Sequence, residues 1–393
     1  MGKWTLLLAV FLTLSFGAQF TAEADDTQAS EITNLAKITA SNNGINIKCL
    51  TDGRYMTAWA SKKGYAQFDL PVDAPCYGVY LCFSGKTAGY SVQITDDSGN
   101  WLDFKTVLPG GYEHQYVFLP GVTSLRVKAG NTGIIMSIAE IHLIGEGRTP
   151  DWVQQWETLE GKADMMLLSA HPDDEFIWFG GALPLYAGER GLKVQVVYMT
   201  CGANNRRNEL LDGLWTAGVH DYPVIGSFQD KSANTRDEMY SHWGGTKTVY
   251  PWLVNLMRRY QPDVLITHDI NGEYGHGAHQ IAAYAAIHCA AKAAQQDYDP
   301  SSLEKYGVWQ VKKLYLHLYK ENPVVMDWQV PLDAFVNRTA FSVAEEALSK
   351  HKSQHPLNDD MAESGRYDCR KFGLYMSTVG ADVKKSDFFE NIP

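Results

Sequence analysis

The sequence predicts a multi-domain chain: an antiparallel β-sandwich followed by an α/β domain with a mostly parallel sheet. Three observations support this prediction. Over residues 32–147, short strands of alternating polarity are separated by Asp-Gly, Ser-Gly and Pro-Gly turns, without a sustained helical period. Over residues 160–390, apolar strands alternate with helical segments, as in parallel α/β sheets. Gly, Arg, Thr and Pro cluster over residues 145–151, which we interpret as the linker.

Each predicted element follows from its local pattern. Alternation predicts sandwich strands over residues 66–70, 77–81, 91–95 and 124–127. In the second unit, apolar runs predict strands over residues 165–168, 194–198, 264–267 and 314–317. Helical periodicity predicts helices over residues 208–217, 250–260 and 280–294. Because parallel sheets carry their chemistry at the carboxyl ends of the strands, the loops after these strands are where functional residues are expected.

Composition excludes several classes of protein. The chain has 393 residues, of which 45% are hydrophobic and 20% charged, so it is long enough for two or three folded domains and too apolar for a disordered protein. The formal net charge is −11. Nucleic acids and anionic membranes are held by basic surfaces, so we predict neither a nucleic-acid partner nor stable membrane insertion.

The first residues have the pattern of an export signal. Lys3 precedes an apolar run over residues 6–16, and Ala22-Glu23-Ala24 gives an Ala-x-Ala cleavage pattern. We therefore predict a signal peptide over residues 1–24 and an exported protein, either secreted to the extracellular space or retained in a periplasm. The alternative is an uncleaved anchor, but the run is shorter than the about 20 residues that a spanning helix needs.

The first chemical motif combines a histidine with adjacent carboxylates in Ala170-His171-Pro172-Asp173-Asp174-Glu175. It directly follows a predicted strand and precedes a helical segment expected to begin near Phe179. His171 and Asp174 are three residues apart, so both can face one point, which leaves Asp173 free to act as a base. Alternatively, Asp173 or Asp174 only caps the helix that follows.

The second motif, Tyr274-Gly275-His276-Gly277-Ala278-His279, follows the strand predicted over residues 264–267. It places the imidazoles of His276 and His279 at the same edge of the same sheet. Either histidine alone could be an ordinary loop residue. Two histidines and one aspartate, however, make a three-ligand site with positions left for water, which is typical of catalytic zinc. His268 and Asp269, at the end of that strand, are candidates for lining the site.

At these motifs the sequence resembles the PIG-L/LmbE-like de-N-acetylases, zinc-dependent hydrolases that remove acetyl from N-acetylglucosaminyl groups. The resemblance covers about residues 163–356, includes the helix before His351-Lys352-Ser353-Gln354, and implies a Rossmann-like fold. It implies that His171, Asp174 and His279 bind the metal. It further implies that Asp173 is the general base and that His276 polarises the carbonyl and stabilises its oxyanion.

The same resemblance suggests substrate contacts and one departure. The segment Arg206-Arg207-Asn208-Glu209-Leu210 is similar to a family region with a substrate-binding arginine, and we assign that role to Arg207. Many members carry Asp where this chain has Ala278. We expect the role of that carboxylate, orienting or charging a histidine, to fall to Glu273 or Asp269, or to be absent. His268, Asp269 and Glu273 are further candidate substrate contacts.

The first unit resembles a discoidin (coagulation factor 5/8 type C) domain, a galactose-binding-like β-sandwich. The residues that carry the resemblance are Asn34-Leu35-Ala36, Leu50-Thr51-Asp52-Gly53, Thr57-Ala58-Trp59, Phe68-Asp69-Leu70 and Ile138-Ala139-Glu140-Ile141. Such domains often bind glycans, so this resemblance implies a carbohydrate-binding role. A purely structural role is the alternative.

The sequence therefore predicts a secreted hydrolase that removes N-acetyl groups from an N-acetylated amino sugar or glycan. One divalent metal ion would activate water, Asp173 would accept its proton, and a protonated His276 would stabilise the oxyanion. Mixed histidine and carboxylate ligands favour Zn²⁺, although other first-row ions can occupy such sites. Two alternatives stay open: a secreted glycan-binding protein with an inactive hydrolase domain, and an amidase that cleaves a non-acetyl amide.

Overall fold

The structure is a computed structural model that describes residues 27–41, 46–354 and 361–393. The predicted signal peptide, residues 1–24, lies outside the described residues. Within the described ranges, no helix has both the length and the apolar character needed to cross a lipid bilayer.

The first unit is an antiparallel β-sandwich, as predicted. Its strands are β1 (Lys37–Ala40), β2 (Trp59–Ser61), β3 (Tyr65–Asp69), β4 (Cys76–Phe83), β5 (Tyr90–Thr95), β6 (Trp101–Val107), β7 (His114–Val122), β8 (Ser124–Ala129) and β9 (Met136–Ile144). Within the described residues they form a five-stranded sheet, β1-β3-β8-β5-β6, and a four-stranded sheet, β2-β9-β4-β7. Inward-facing side chains of both sheets, including Trp59, Phe68 and Phe83, are fully buried between them.

The second unit alternates strands with helices. Its strands are β10 (Met165–Ser169), β11 (Val194–Tyr198), β12 (Val224–Ile225), β13 (Val264–Thr267), β14 (Lys313–His317), β15 (Pro323–Val325), β16 (Pro331–Leu332), β17 (Arg338–Thr339) and β18 (Lys371–Ser377). The helices are α1 (Asp174–Ile177), α2 (Asn204–Thr216), α3 (Arg236–Trp243), α4 (Thr246–Tyr260), α5 (Gly277–Ala293), α6 (Pro300–Tyr306) and α7 (Ala340–Leu348). A π-helical segment, Pro184–Glu189, follows α1.

The order of the strands in the main sheet determines where a site can form. Among the described residues the order is β12-β11-β10-β13-β14-β18-β15, with parallel pairing from β12 to β14 and antiparallel pairing beyond. The order reverses at β10, so successive connections leave β10 towards opposite edges. Ligand sites in open α/β sheets lie at this reversal, outside the carboxyl ends of the strands. The loops after β10 and β13 meet there, and they carry the two predicted motifs.

The two units are in direct contact through α2. The Tyr55 hydroxyl of the sandwich donates a 2.9 Å hydrogen bond to Oδ2 of Asp212 on this helix. The sandwich also extends towards the N-terminus beyond the predicted start at residue 32, because Gln28 forms a β-bridge with Arg148 and Glu31 with Ile144.

Candidate active site

The loop after β10 brings the first motif together. The fully buried strand β10 ends at Ser169, and the chain then turns into α1 at Asp174. The helix therefore begins within the motif, not near Phe179. Asp173, the residue before α1, has φ = 99°, a left-handed backbone conformation that is strained for a residue with a side chain. Strain of this kind is concentrated at functional sites.

Three predicted ligands present their donor atoms to one another. Nδ1 of His171 lies 3.1 Å from Oδ2 of Asp174. Nε2 of His279 lies 3.3 Å from Nδ1 of His171 and 3.4 Å from Oδ2 of Asp174. All three side chains are buried. The other carboxylate oxygen of Asp174, Oδ1, accepts a 2.7 Å hydrogen bond from the indole N–H of Trp178. This bond fixes the carboxylate with Oδ2 towards the two imidazoles.

These separations fit a divalent metal ion. Zinc binds imidazole nitrogen at about 2.0–2.1 Å and carboxylate oxygen at about 2.0–2.2 Å, so neighbouring ligands of a tetrahedral ion lie about 3.3–3.5 Å apart. The three observed distances are close to this range. The charges around Asp174 also favour a bound cation. Burial alone would raise the pKa of Asp174, but His279, His171 and His268 outweigh burial and hold the pKa below its ordinary value. The carboxylate is therefore charged and able to bind a cation.

A glutamate supports the ligand His279 from behind. Nδ1–H of His279 donates a 2.8 Å hydrogen bond to Oε2 of Glu273, which directs Nε2 towards the other ligands. Burial disfavours a charged imidazole, but Asp174 and Glu273 outweigh it and raise the pKa of His279. Carboxylate–histidine pairs of this type set the tautomer and the basicity of metal-binding histidines.

His268 is buried at the site, and both of its ring nitrogens already form hydrogen bonds with protein groups. Its Nδ1 lies 2.8 Å from Oε2 of Glu273, and its Nε2 accepts a 2.9 Å hydrogen bond from the backbone N–H of Ala170. The N–H of Ala170 occupies the lone pair on Nε2 of His268 that a metal ion would need. Donor atoms of Asp174, His268 and His279 nevertheless lie close enough together to hold an ion. Burial lowers the pKa of His268, so the ring is neutral with its proton on Nδ1.

Glu273 is the counter-ion of this buried histidine cluster. His317 Nδ1 lies 2.7 Å from Oε1 of Glu273, and its Nε2 lies 3.2 Å from the backbone carbonyl of Asp368. Both ring nitrogens of His317 thus lie within hydrogen-bond distance of oxygen atoms. Burial would raise the pKa of Glu273, but His268, His279 and His317 hold it well below its ordinary value.

The structure places the predicted substrate contacts His268 and Glu273 away from solvent. Both side chains are fully buried, and their polar atoms are taken by protein groups. Asp269 is different. It is partly exposed and borders a cleft of about 1070 Å³ beside the second motif, which Gly275, Tyr319 and Tyr367 also line.

The base candidate Asp173 lies beside the ligand triangle, with 14% of its side chain exposed. Burial and the neighbouring Asp174 carboxylate raise its pKa, and His351 and Arg206 act in the opposite direction. A raised pKa favours a carboxylate that takes up a proton during a reaction near neutral pH. The backbone N–H of Asp173 donates a 2.8 Å hydrogen bond to Glu175, which lies behind it.

His276 borders the same site from the start of α5. Its ring lies 4.8 Å from the rings of both His171 and His279, centroid to centroid. Nδ1 accepts a 3.3 Å hydrogen bond from the backbone N–H of Ala278, so the proton of the neutral ring is on Nε2. Burial, with the nearby His171 and His279, lowers the pKa of His276 to about 3. The side chain is thus a neutral N–H donor, whereas the sequence predicted an imidazolium.

The arginine at the site is Arg206, not Arg207. Nη2 of Arg206 donates a 2.7 Å hydrogen bond to the carbonyl of Pro172 and lies 3.4 Å from Oδ2 of Asp173. Arg207 points away and forms a 3.0 Å ion pair with Glu113 of the sandwich. Consecutive residues on a helix point about 100° apart, so only the packing of α2 decides which arginine faces the site.

Asp230 is a site residue that the sequence reasoning missed. Its Oδ2 accepts a 3.1 Å hydrogen bond from Nη1 of Arg206, and its Oδ1 lies 3.8 Å from Nε2 of His171. Asp230 follows β12 in a stretch without regular secondary structure. Its position after a strand of the same sheet was the one available signal.

Part of the α/β unit is similar to proteins of known family. Residues 166–290 match the family described as "PIG-L: GlcNAc-PI de-N-acetylase". A 1D-myo-inositol 2-acetamido-2-deoxy-alpha-D-glucopyranoside deacetylase of Catenulispora acidiphila is 31% identical over 180 residues, which cover 38% of this chain and 54% of that protein. The chain thus spans about half the length of this curated relative.

Solved structures match each unit separately. An N,N'-diacetylchitobiose deacetylase from Pyrococcus horikoshii matches at 20% identity and a TM-score of 0.36, covering 49% of this chain and 71% of that one. An F5/8 type C domain from Bacteroides fragilis matches at 14% identity and a TM-score of 0.25, covering 30% of this chain and 97% of that one. The residues that are similar to the PIG-L family, 166–290, lie within the α/β half of this chain.

Proposed function

We propose that this protein is an exported, metal-dependent hydrolase that removes the N-acetyl group from an N-acetylated amino sugar or glycan. The observation that carries the proposal is the triangle of His171, Asp174 and His279 donor atoms, 3.1–3.4 Å apart, beside a carboxylate with a raised pKa. The relatives named as deacetylases of acetylated amino sugars support the choice of bond.

His171, Asp174 and His279 would hold one divalent ion, and their mixed nitrogen and oxygen donors suit Zn²⁺. When bound, such an ion supplies Lewis acidity, which makes a water molecule more acidic and an amide carbonyl more electrophilic. Glu273 keeps Nε2 of His279 unprotonated on the ligand side by accepting the proton at Nδ1.

Asp173 is the general base of the proposed reaction. It accepts a proton from the attacking water as the oxygen forms a bond to the acetyl carbon. When the C–N bond breaks, the amine nitrogen needs a proton, and Asp173 returns the one it holds. The products are the amine and acetic acid, which loses its remaining proton to the amine or to solvent near neutral pH and becomes acetate, and Asp173 is again a carboxylate. Its raised pKa suits a group that must hold a proton between these two steps.

His276 stabilises the negative charge that develops on the carbonyl oxygen. Its Nε2–H is the available donor, because Nδ1 is occupied by the N–H of Ala278. A positioned neutral donor can stabilise an oxyanion, and such groups are typically worth about 10²–10³ in rate. The absence of a carboxylate at position 278 fits a histidine that acts in its neutral form.

The β-sandwich and the export signal complete the proposal. The sandwich places a second unit beside the α/β domain, and discoidin-like sandwiches often bind glycans, so we assign it a carbohydrate-binding role. The proposed location, outside the cell or in a periplasm, rests on the pattern over residues 1–24.

A substrate panel tests this function. Purified zinc-loaded protein is incubated with N-acetylated monosaccharides and oligosaccharides, and acetate and free amine are measured together. The proposal expects equal amounts of both products from at least one amino sugar. Amides with longer acyl groups and cysteine-conjugate amides serve as the comparison: release from these alone would replace the deacetylase assignment with a different amidase.

A further inference from the structure

We propose that the N-terminal sandwich helps to form the active site by holding helix α2 in place, and that its residue Glu113 is a positioning residue for Arg206. This inference rests on the proposed function, since Arg206 matters only if Asp173 acts as a base. The structural link is α2, because the first turns of this helix contact the site on one side and the sandwich on the other.

Arg206 contacts the site through both terminal nitrogens. Nη2 bonds to the carbonyl of Pro172 and lies 3.4 Å from Asp173, and Nη1 donates to Asp230 at 3.1 Å. Within the described ranges, its buried Nε–H has no hydrogen-bond partner. A buried donor without a partner is costly, so this N–H is available to a substrate or water at the site.

Glu113 reaches from the sandwich into the α/β domain. Its backbone carbonyl accepts a 2.7 Å hydrogen bond from the N–H of Phe83, which anchors it in the sandwich. Its side chain is 3% exposed. Oε1 accepts a 3.0 Å hydrogen bond from Nη1 of Arg207, and Oε2 accepts a hydrogen bond from the hydroxyl of Tyr222. A buried carboxylate with charge-assisted bonds is strongly directional, so it fixes the position of its partners.

Further contacts with the sandwich hold the first turns of α2. The amide nitrogen of Asn208 donates to the carbonyl of Phe83 at 3.2 Å, and its Oδ1 lies 3.1 Å from Nε2 of His114. Gly85 has φ = 88°, and a Cβ there would lie 3.0 Å from the side-chain nitrogen of Asn204. The sandwich loop therefore packs closely against the start of the helix.

Adjacent positions on α2 connect the contact with the sandwich to the contact with the active site. Arg206 and Arg207 follow each other, so a rotation or shift of α2 that moves Arg207 also moves Arg206. Glu113 fixes Arg207, and through the helix backbone it fixes the guanidinium beside Asp173. A displacement of about 1 Å at a reacting group can lower a rate by about 10²-fold. Loss of the Glu113 ion pair is expected to act by this route.

The test compares two variants of the same interface in the full chain. Glu113→Gln removes the charge beside Arg207 and keeps the shape of the side chain. Tyr55→Phe is the matched control, because it removes the hydrogen bond to Asp212, which lies about 7.5 Å further along the helix axis than Arg207. We expect Glu113→Gln to lower kcat/KM by about 10- to 100-fold, and Tyr55→Phe to change it less than about twofold. Thermal unfolding of both variants measures the loss of stability separately.

A double-mutant cycle separates positioning from general damage. If Glu113 acts through Arg206, Glu113→Gln has little further effect on kcat/KM in the Arg206→Ala background. Full additivity of the two losses, or wild-type kcat/KM in Glu113→Gln, would overturn the proposal. Arg207→Gln removes the same ion pair from a more exposed side chain and replaces Glu113→Gln if that variant does not fold.

A second readout is independent of turnover. If the wild-type protein releases no acetate from any substrate, the proposed function fails, and amide hydrogen exchange over residues 204–210 decides the positioning claim alone. Glu113→Gln should accelerate exchange there more than Tyr55→Phe does. Unchanged exchange in Glu113→Gln would show that the sandwich does not hold the start of α2.

Discussion

Glu273 and His279 form a buried pair in which Nδ1–H of the histidine donates a 2.8 Å hydrogen bond to Oε2 of the carboxylate. Many members of the resembled family carry Asp at the position of Ala278, and Glu273 was one of two residues expected to take over its role. Glu273 therefore orients the ring of His279, the proposed metal ligand, whereas within the described ranges the His276 ring has no hydrogen bond to a carboxylate.

The first prediction concerns this pair. Glu273→Gln should weaken metal binding by about 10- to 100-fold, because the amide cannot balance the charge of the histidine cluster or strengthen His279 as a ligand. Competition with a chromogenic chelator measures the affinity. Glu146→Gln, an exposed carboxylate on the linker side of the sandwich, is the control and should bind metal like the wild type. Equal affinities for all three proteins would remove Glu273 from the site.

The second prediction concerns the base. Asp173→Asn should lower kcat by about 10²–10⁴-fold, because the amide cannot accept the proton of the attacking water. Metal content should stay at the wild-type level, since Asp173 is not part of the ligand triangle. Elemental analysis and initial rates on one preparation check both statements. Wild-type turnover in this variant would assign the base to another group.

The third prediction concerns His276. His276→Ala should lower kcat by about 10²–10³-fold with little change in KM, because the Nε2–H donor acts on charge that develops in the transition state. Loss of the contact with the Ala278 N–H should also destabilise the protein by about 1 kcal/mol. His288→Ala, an exposed residue on the same helix, serves as the control. A KM effect without a kcat effect would make His276 a binding residue.

The fourth prediction concerns pH and the contact between the two units. Burial raises the pKa of Asp212 from 3.8 to about 6, although Tyr55 and Gln154 donate hydrogen bonds to it. Between these two values the folded protein binds more protons than the unfolded chain, so stability falls as pH rises from about 4 to about 6. The loss from this group is roughly 2–3 kcal/mol.

Urea unfolding of the wild type and Asp212→Asn at pH 4.5 and pH 7 tests this effect. The variant should show the smaller loss of stability between the two pH values. The comparison between proteins removes the contribution of the histidine cluster, which both share. An identical pH dependence would mean that Asp212 is ionised across this range.

Much of the fold could be predicted because its pattern is local. The strands Val194–Tyr198 and Val264–Thr267 have the predicted bounds, since continuous apolar runs in a buried parallel sheet leave little choice of limits. The helix α2 was predicted from residue 208 but begins at Asn204. The polar residues of its first turn have no apolar periodicity, and their contacts are made with the sandwich.

The parts of the site that were missed depend on tertiary packing. Arg206 and Arg207 are neighbours of the same type, and only the position of α2 against Glu113 decides which one reaches Asp173. Glu273 was predicted as one of two possible partners of a histidine, but the sequence does not show that three histidines surround it. The start of α1 at Asp174 was predicted five residues too late, since the strained Asp173 backbone has no sequence signature.

Metal add-back to chelator-treated protein tests the central claim most directly. Zinc is titrated into the full chain while acetate release from the best N-acetylated sugar is recorded, with Asp173→Asn titrated beside it. We predict that activity rises until one equivalent of zinc is bound per chain, and that Asp173→Asn binds the same equivalent without releasing acetate. Full activity in the metal-free protein, or zinc binding without acetate release in the wild type, would contradict a metal-dependent deacetylase.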